Sequence, residues 1–128
     1  EIAAITGGRG IDLVLDPVGG PNFSRNFDYA APLGLVVNYG LLEGRADPSY
    51  AQAMQRRFGD SLGFRFFSMH VFDKLPERRR AAMVELLPLL AQGKIRPVIF
   101  DRIPLQEARR AHALFDTGEV MGKLLLKP

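Results

Sequence analysis

The residues of this chain with a capacity for chemistry gather where short apolar runs break into glycine. Residues 11–20 read IDLVLDPVGG and residues 35–40 read LVVNYG. Each run is long enough for a buried strand, and each ends in a polar residue followed by glycine. Backbone amides and carbonyls therefore lie bare just past the strand, where a flat ligand fits. In an open parallel sheet the ligand occupies the crevice beyond the carboxyl ends of the strands. The first turn offers Asp16, Pro17, Val18 and Gly19, and the second Asn38, Tyr39 and Gly40. Asp16 has two readings, a cap on the turn that follows it or a ligand contact.

Other chemistry is thinly represented. The two histidines are His70 and His112. Histidine titrates near neutrality, but His112 falls in the apolar stripe of a helix with Ala108, Ala111 and Phe115, which points to packing rather than catalysis. His70 sits in an aromatic stretch with no carboxylate or cysteine at metal spacing, so no metal site is expected. Gly8-Arg9-Gly10 precedes a strand instead of following one, which excludes a phosphate loop, and no strand runs into a G-x-G-x-x-G turn. No residue here has the surroundings of a nucleophile or a general base, and no catalytic residue is named.

The elements that position these turns follow an α/β order. Residues 1–5 read as the tail of a helix, 11–16 as a strand apolar on both faces, and 21–31 as a helix burying Phe23 and Phe27. A second strand spans 35–39, parallel to the first. Asp47-Pro48 opens a short helix carrying Tyr50, Met54 and Phe58, and the aromatic, β-branched run 64–72 predicts a third strand. Pro76 opens a helix whose Met83, Leu86, Leu87 and Leu90 form one stripe, kinked at Pro88 and stopped by Gly93. Strand 98–103, helix 105–116 and strand 122–127 close the chain.

Composition sets the outer limits. The 128 residues are 47% hydrophobic and 24% charged, the balance of a globular domain. No apolar run approaches the roughly 18 residues of a membrane span, and the start lacks the pattern of a signal peptide, so a cytoplasmic protein is expected. Cysteine is absent, excluding disulfides and thiolate metal sites within these residues. The net charge is +3, and the arginines at 56–57, 78–80 and 109–110 read as solvated helix faces rather than a nucleic-acid footprint.

Thr6, Gly7, Arg9-Gly10-Ile11-Asp12, Asp16, Val18-Gly19-Gly20, Gly34, Gly40, Pro104-Leu105, Ala111-His112, Gly118 and Gly122-Lys123, with the ending AHALFDTGEVMGKLLLKP, carry a resemblance over essentially the whole chain. The chain resembles the C-terminal part of medium-chain dehydrogenases/reductases, in the zinc-independent, zeta-crystallin-like quinone oxidoreductase branch. The resemblance implies that residues 1–97 form the second half of a Rossmann-type dinucleotide-binding domain and that 98–128 return to a catalytic domain. It places the pyrophosphate loop before Glu1, so that these residues alone are inactive. The implied cofactor is NADPH, with NADH still open, and the implied acceptor a quinone or an α,β-unsaturated carbonyl.

The same resemblance assigns site residues. Pro17, Val18 and Gly19 approach the dinucleotide's ribose through backbone groups. Asn38, Tyr39 and Gly40 run along the nicotinamide, with Tyr39 as a flat wall; its alternative is to fill core at a strand end. Phe67, Ser68 and Met69 lend main-chain groups to the carboxamide, against an alternative of aromatic core packing by Phe66 and Phe67. The family more usually has a small residue or glycine followed by an aromatic there, which leaves the register open by one residue. Lys123 faces the interdomain cleft or is simply solvated. A homodimer through the edge strand Phe64 to Val71 is implied, and the rival class of function is a non-catalytic module for dimerisation or RNA binding.

Overall fold

Three parallel strands organise the first part of the chain. In the computed structural model, which describes residues Glu1–Pro128, helix α1 (Ile2–Ile5) leads through a glycine turn into β1 (Ile11–Asp16). One-turn helix α2 (Asn26–Tyr29) precedes β2 (Ala30–Asn38), α3 (Tyr50–Arg56) precedes β3 (Gly63–Phe66), and the sheet order is β1-β2-β3. The chain divides into two compact units, Glu1–Lys74 and Leu75–Pro128. The helix opened by Pro76 groups with the second unit.

The register shows which sheet face is covered. Val14, Val36 and Phe64 lie side by side, on the face packed by Phe23, Phe27, Ala30 and Ala53, with Tyr50 and Met54 around them. The rings meet mostly edge to face: Phe23 and Phe27 have centroids 5.8 Å apart at 84°. Such pairs add about 0.5–1.5 kcal/mol each beyond the area they bury. Leu13, Leu15 and Leu35 point to the other face, where Leu13 is 51% and Leu15 59% exposed. The expectation that β1 is covered on both sides therefore holds on one side only within this chain.

Two elements differ from expectation for local reasons. The predicted helix over 21–31 is a 3-10 turn (Phe23–Arg25) and the single turn α2, after which Ala30 already belongs to β2. Pro32 drives Ala31 out of helical geometry, and Leu33 then takes a left-handed φ of 64° where the β1–β2 register shifts. The predicted strand over 64–72 stops at Phe66, and Met69–Asp73 form a 3-10 helix. Ser68 causes the change by accepting a hydrogen bond from the His70 amide at 3.3 Å, a local cap that competes with strand pairing.

Arg57 departs from the solvated-face reading. It donates through Nη1 to the carbonyls of Phe27 and Ala30, and through Nε to Asp60 at 2.8 Å. These bonds satisfy carbonyls that helix α2 leaves unpaired at its end.

In the second unit, α4 (Pro76–Ala91) continues through Pro88, and β4 (Ile99–Pro104), α5 (Ala108–Asp116) and β5 (Lys123–Lys127) form a parallel βαβ pair. Ile103 and Ala111 are its buried centre. The stripe Met83, Leu86, Leu87 and Leu90 is exposed, and α4 has no buried residue. No helix is long and apolar enough to cross a membrane.

Because Phe27 is fully buried while Phe58 is 86% exposed, Phe27→Ala is expected to cost about 3–5 kcal/mol in chemical denaturation. Phe58→Ala is expected to stay within about 0.5 kcal/mol. Equal effects would contradict the packing described.

Candidate functional site

Asp16, Asn38 and Phe66 end the three strands in register, so the residues after them emerge together at one edge of the sheet. Pairing does not stop there. The Tyr39 amide donates to the Asp16 carbonyl at 2.8 Å, and the Phe67 amide to the Asn38 carbonyl at 2.9 Å. Farther out, Glu43 donates to Val18 at 2.9 Å and Gly20 to Gly44 at 3.1 Å, so the two glycine turns are stitched into one ledge.

This stitching explains two of the glycines. Gly19 has a φ of 68°, and a Cβ on it would overlap the carbonyl oxygen of Gly44; a Cβ on Gly40 would overlap that of Pro17. Only glycine lets the turns approach this closely. The bareness of Gly40 is thus used first by the neighbouring backbone.

Asp16 joins the two turns through its side chain. One carboxylate oxygen accepts from the amides of Val18 at 2.8 Å and Gly19 at 2.7 Å, and from the Asn38 side chain at 3.2 Å. The other oxygen accepts from the Asn26 side chain at 2.5 Å. The Asn38 amide group also donates to the Gly40 carbonyl at 2.9 Å. Of the two readings of Asp16, the cap is therefore the one its carboxylate fulfils. Burial pushes the Asp16 carboxyl up, but the bonds from Gly19, Asn26, Val18 and Asn38 outweigh it and hold the group below the ordinary aspartate range.

The expected site residues sort into two groups. Pro17, Val18, Gly19, Asn38, Tyr39, Gly40 and Phe67 share the edge just described. Tyr39 is half exposed rather than core, whereas Asn38 is 3% exposed, its side chain spent inside the protein. Ser68 and Met69 are exposed, Ser68 as the cap of the 3-10 turn. Lys123 opens β5 in the second unit and is exposed. His112, expected to be packed, is exposed on α5 beside Ala111, Phe115, Leu124 and Leu126. His70 does have a carboxylate nearby, Asp73 at 3.2 Å, although both are largely exposed.

Sequence reasoning missed Asn26. Its only signal is a polar amide in front of Phe27 on the short helix, and its partner lies ten residues away. Next to the ledge, Leu41, Arg45, Ala46, Pro48, Tyr50 and Phe66 line an open groove of about 450 Å3.

A carboxylate whose folded value is depressed stabilises the fold fully above its unfolded value, and that contribution is lost as pH falls through the folded one. Acid titration of stability is therefore expected to show Asp16 weakening the fold below about pH 4, and Asp16→Asn is expected to flatten that part of the profile. An unchanged profile would contradict the bonding assigned to this group.

A family model described as zinc-binding dehydrogenase matches residues 1–126. Quinone oxidoreductase 1 of Escherichia coli K12 is 29% identical over 130 residues, covering 100% of this chain and 39% of that protein. A highly reducing polyketide synthase of Emericella nidulans is 34% identical over 129 residues, covering 98% of this chain and 5% of its own length. Among solved structures, Escherichia coli quinone oxidoreductase complexed with NADPH superposes with a TM-score of 0.78 at 28% identity, over 99% of this chain and 39% of that one. The chain thus spans about two fifths of the quinone oxidoreductases it matches. The family description names zinc, but the chain has no cysteine and no group of three or more His, Cys, Asp or Glu able to hold a metal ion. Its own donors do not fit zinc, and no step is derived through that metal. With the family model matching residues 1–126 and the fold superposing over 99% of the chain, the chain belongs to the zinc-binding dehydrogenase family of the medium-chain dehydrogenase/reductase superfamily, as the C-terminal part of a quinone oxidoreductase-like protein.

Proposed function

We propose that the longer protein containing this chain transfers hydride from NADPH to a quinone or an α,β-unsaturated carbonyl, and that the stitched ledge of residues 16–20 and 38–44 forms the wall of the nicotinamide side. The observation that carries this reading is the pair of glycine turns joined at the carboxyl ends of β1 and β2, on a fold similar to a quinone oxidoreductase complexed with NADPH. The nicotinamide supplies the hydride when bound.

The chain's part is orientation rather than proton transfer. Val18 and Gly19 hold the first turn rigid through Asp16. Tyr39, half exposed at the strand end, offers a flat surface that limits how the ring lies, and Phe67 extends the wall from β3. Fixing a reactant in one geometry is worth several orders of magnitude in rate, so the site needs no nucleophile from these residues. The bare face of Leu13, Leu15 and Leu35 and the open edge of β1 support further chain lying against this sheet. On this reading residues 1–128 alone do not turn over. The open edge of β3, four residues long rather than the expected Phe64 to Val71, is the place for a second copy to pair.

In the natural protein that carries these residues, quinone-dependent consumption of NADPH is expected, and Tyr39→Ala is expected to lower kcat/KM by about tenfold or more through lost orientation. Steady-state kinetics with NADPH and NADH checks this. Failure to consume either dinucleotide with any quinone or enone tested would overturn the reading.

A further inference from the structure

Resting on that reading, we propose that Asp16 and Asn26 are positioning residues for the dinucleotide, acting through the two turns without touching the ligand. The carboxylate of Asp16 is filled from inside the protein. Val18 and Gly19 fix its first oxygen to its own turn, Asn38 links that oxygen to the second turn, and Asn26 holds the other oxygen from α2. Asn38 completes the link by donating to Gly40. One carboxylate thus governs where the amides of residues 18 and 19 and the carbonyl of residue 40 lie relative to each other, and because those groups are bonded inside the protein they set the shape of the ledge around them. Helix α2 is held by the other oxygen of the same carboxylate, so the clasp reaches from the ledge to the short helix.

The hydrogen-bond polarity of the clasp makes it testable by exchange. Asp16→Asn leaves one oxygen for the Val18 and Gly19 amides, removes the charge that strengthens every bond of the clasp, and requires Asn26 to turn its amide oxygen toward the new donor. Asn26→Asp sets two carboxylates against each other at hydrogen-bond distance. Combining the two substitutions restores a donor at 16 facing an acceptor at 26. Hydrogen bonds to charged groups are strong enough for each single change to be felt about tenfold.

The experiment uses the natural protein that carries these residues and measures the NADPH dissociation constant from nicotinamide fluorescence, steady-state kinetics, and hydrogen exchange at Val18 and Gly19. Each single variant is expected to weaken NADPH binding about tenfold and to speed exchange at both amides, with the KM for the quinone changed less than about twofold. The double variant is expected to recover both signals to within about threefold of wild type. A purely structural brace would lower thermal stability in the single variants while leaving NADPH affinity unchanged, which would overturn the proposal. A double variant no better than the weaker single one would overturn it as well. Wild-type protein that binds neither NADPH nor NADH would defeat the functional reading and this proposal together, whereas normal wild-type binding with unaffected variants defeats this proposal alone.

Discussion

A single carboxylate ties together the two glycine turns proposed as the wall of the cofactor site. Parallel strands end with unpaired backbone groups, and the turns that follow have no partner dictated by the sheet itself. Here Asp16 supplies that partner. Its two oxygens gather amides from its own turn, from the end of β2 and from α2. The price is partial burial of a charge, and it is met by hydrogen bonds to the charged form. Without that centre the close approach permitted by the glycines at 19 and 40 rests on the backbone bonds between the turns alone.

The rest of the first unit serves to hold the sheet beneath this ledge. Phe23, Phe27, Tyr50 and Phe64 form a tight aromatic cluster on one face, and Arg57 fastens the junction of α2 and β2 by bonding the carbonyls of Phe27 and Ala30. Since Asn26 opens α2, the cluster fixes the far end of the Asp16 clasp as firmly as the sheet fixes the near end. Rigidity in the core is thereby passed to the backbone groups of the turns. The opposite face and the stripe on α4 remain apolar and exposed, in keeping with a chain that spans about two fifths of related quinone oxidoreductases.

Much of this was legible in the residues. Continuous apolar runs ending in Asp-Pro and Asn-Tyr-Gly mark two parallel strands and their turns, because the pattern depends on local apolar spacing and on the conformational freedom of glycine. The third strand ends sooner than its aromatic, β-branched composition suggests, since Ser68 turns the backbone after Phe66. The helix over 21–31 is shorter than its apolar spacing suggests, because the constraint of Pro32 on Ala31 outweighs that spacing. Asn26 and Arg57 were not readable at all. Each bonds a group ten or more residues away, and such pairings are set by how the elements pack, which no local pattern encodes.

The central claim is that the ledge built on Asp16 is the surface against which a reduced nicotinamide dinucleotide lies. Amide chemical shifts of the natural protein carrying these residues, followed as NADPH is added, test it most directly. The account predicts saturable shifts concentrated at Val18, Gly19, Tyr39, Gly40 and Phe67, with the amides of β4 and β5 far less affected. Shifts that saturate elsewhere while those five amides stay still would contradict it.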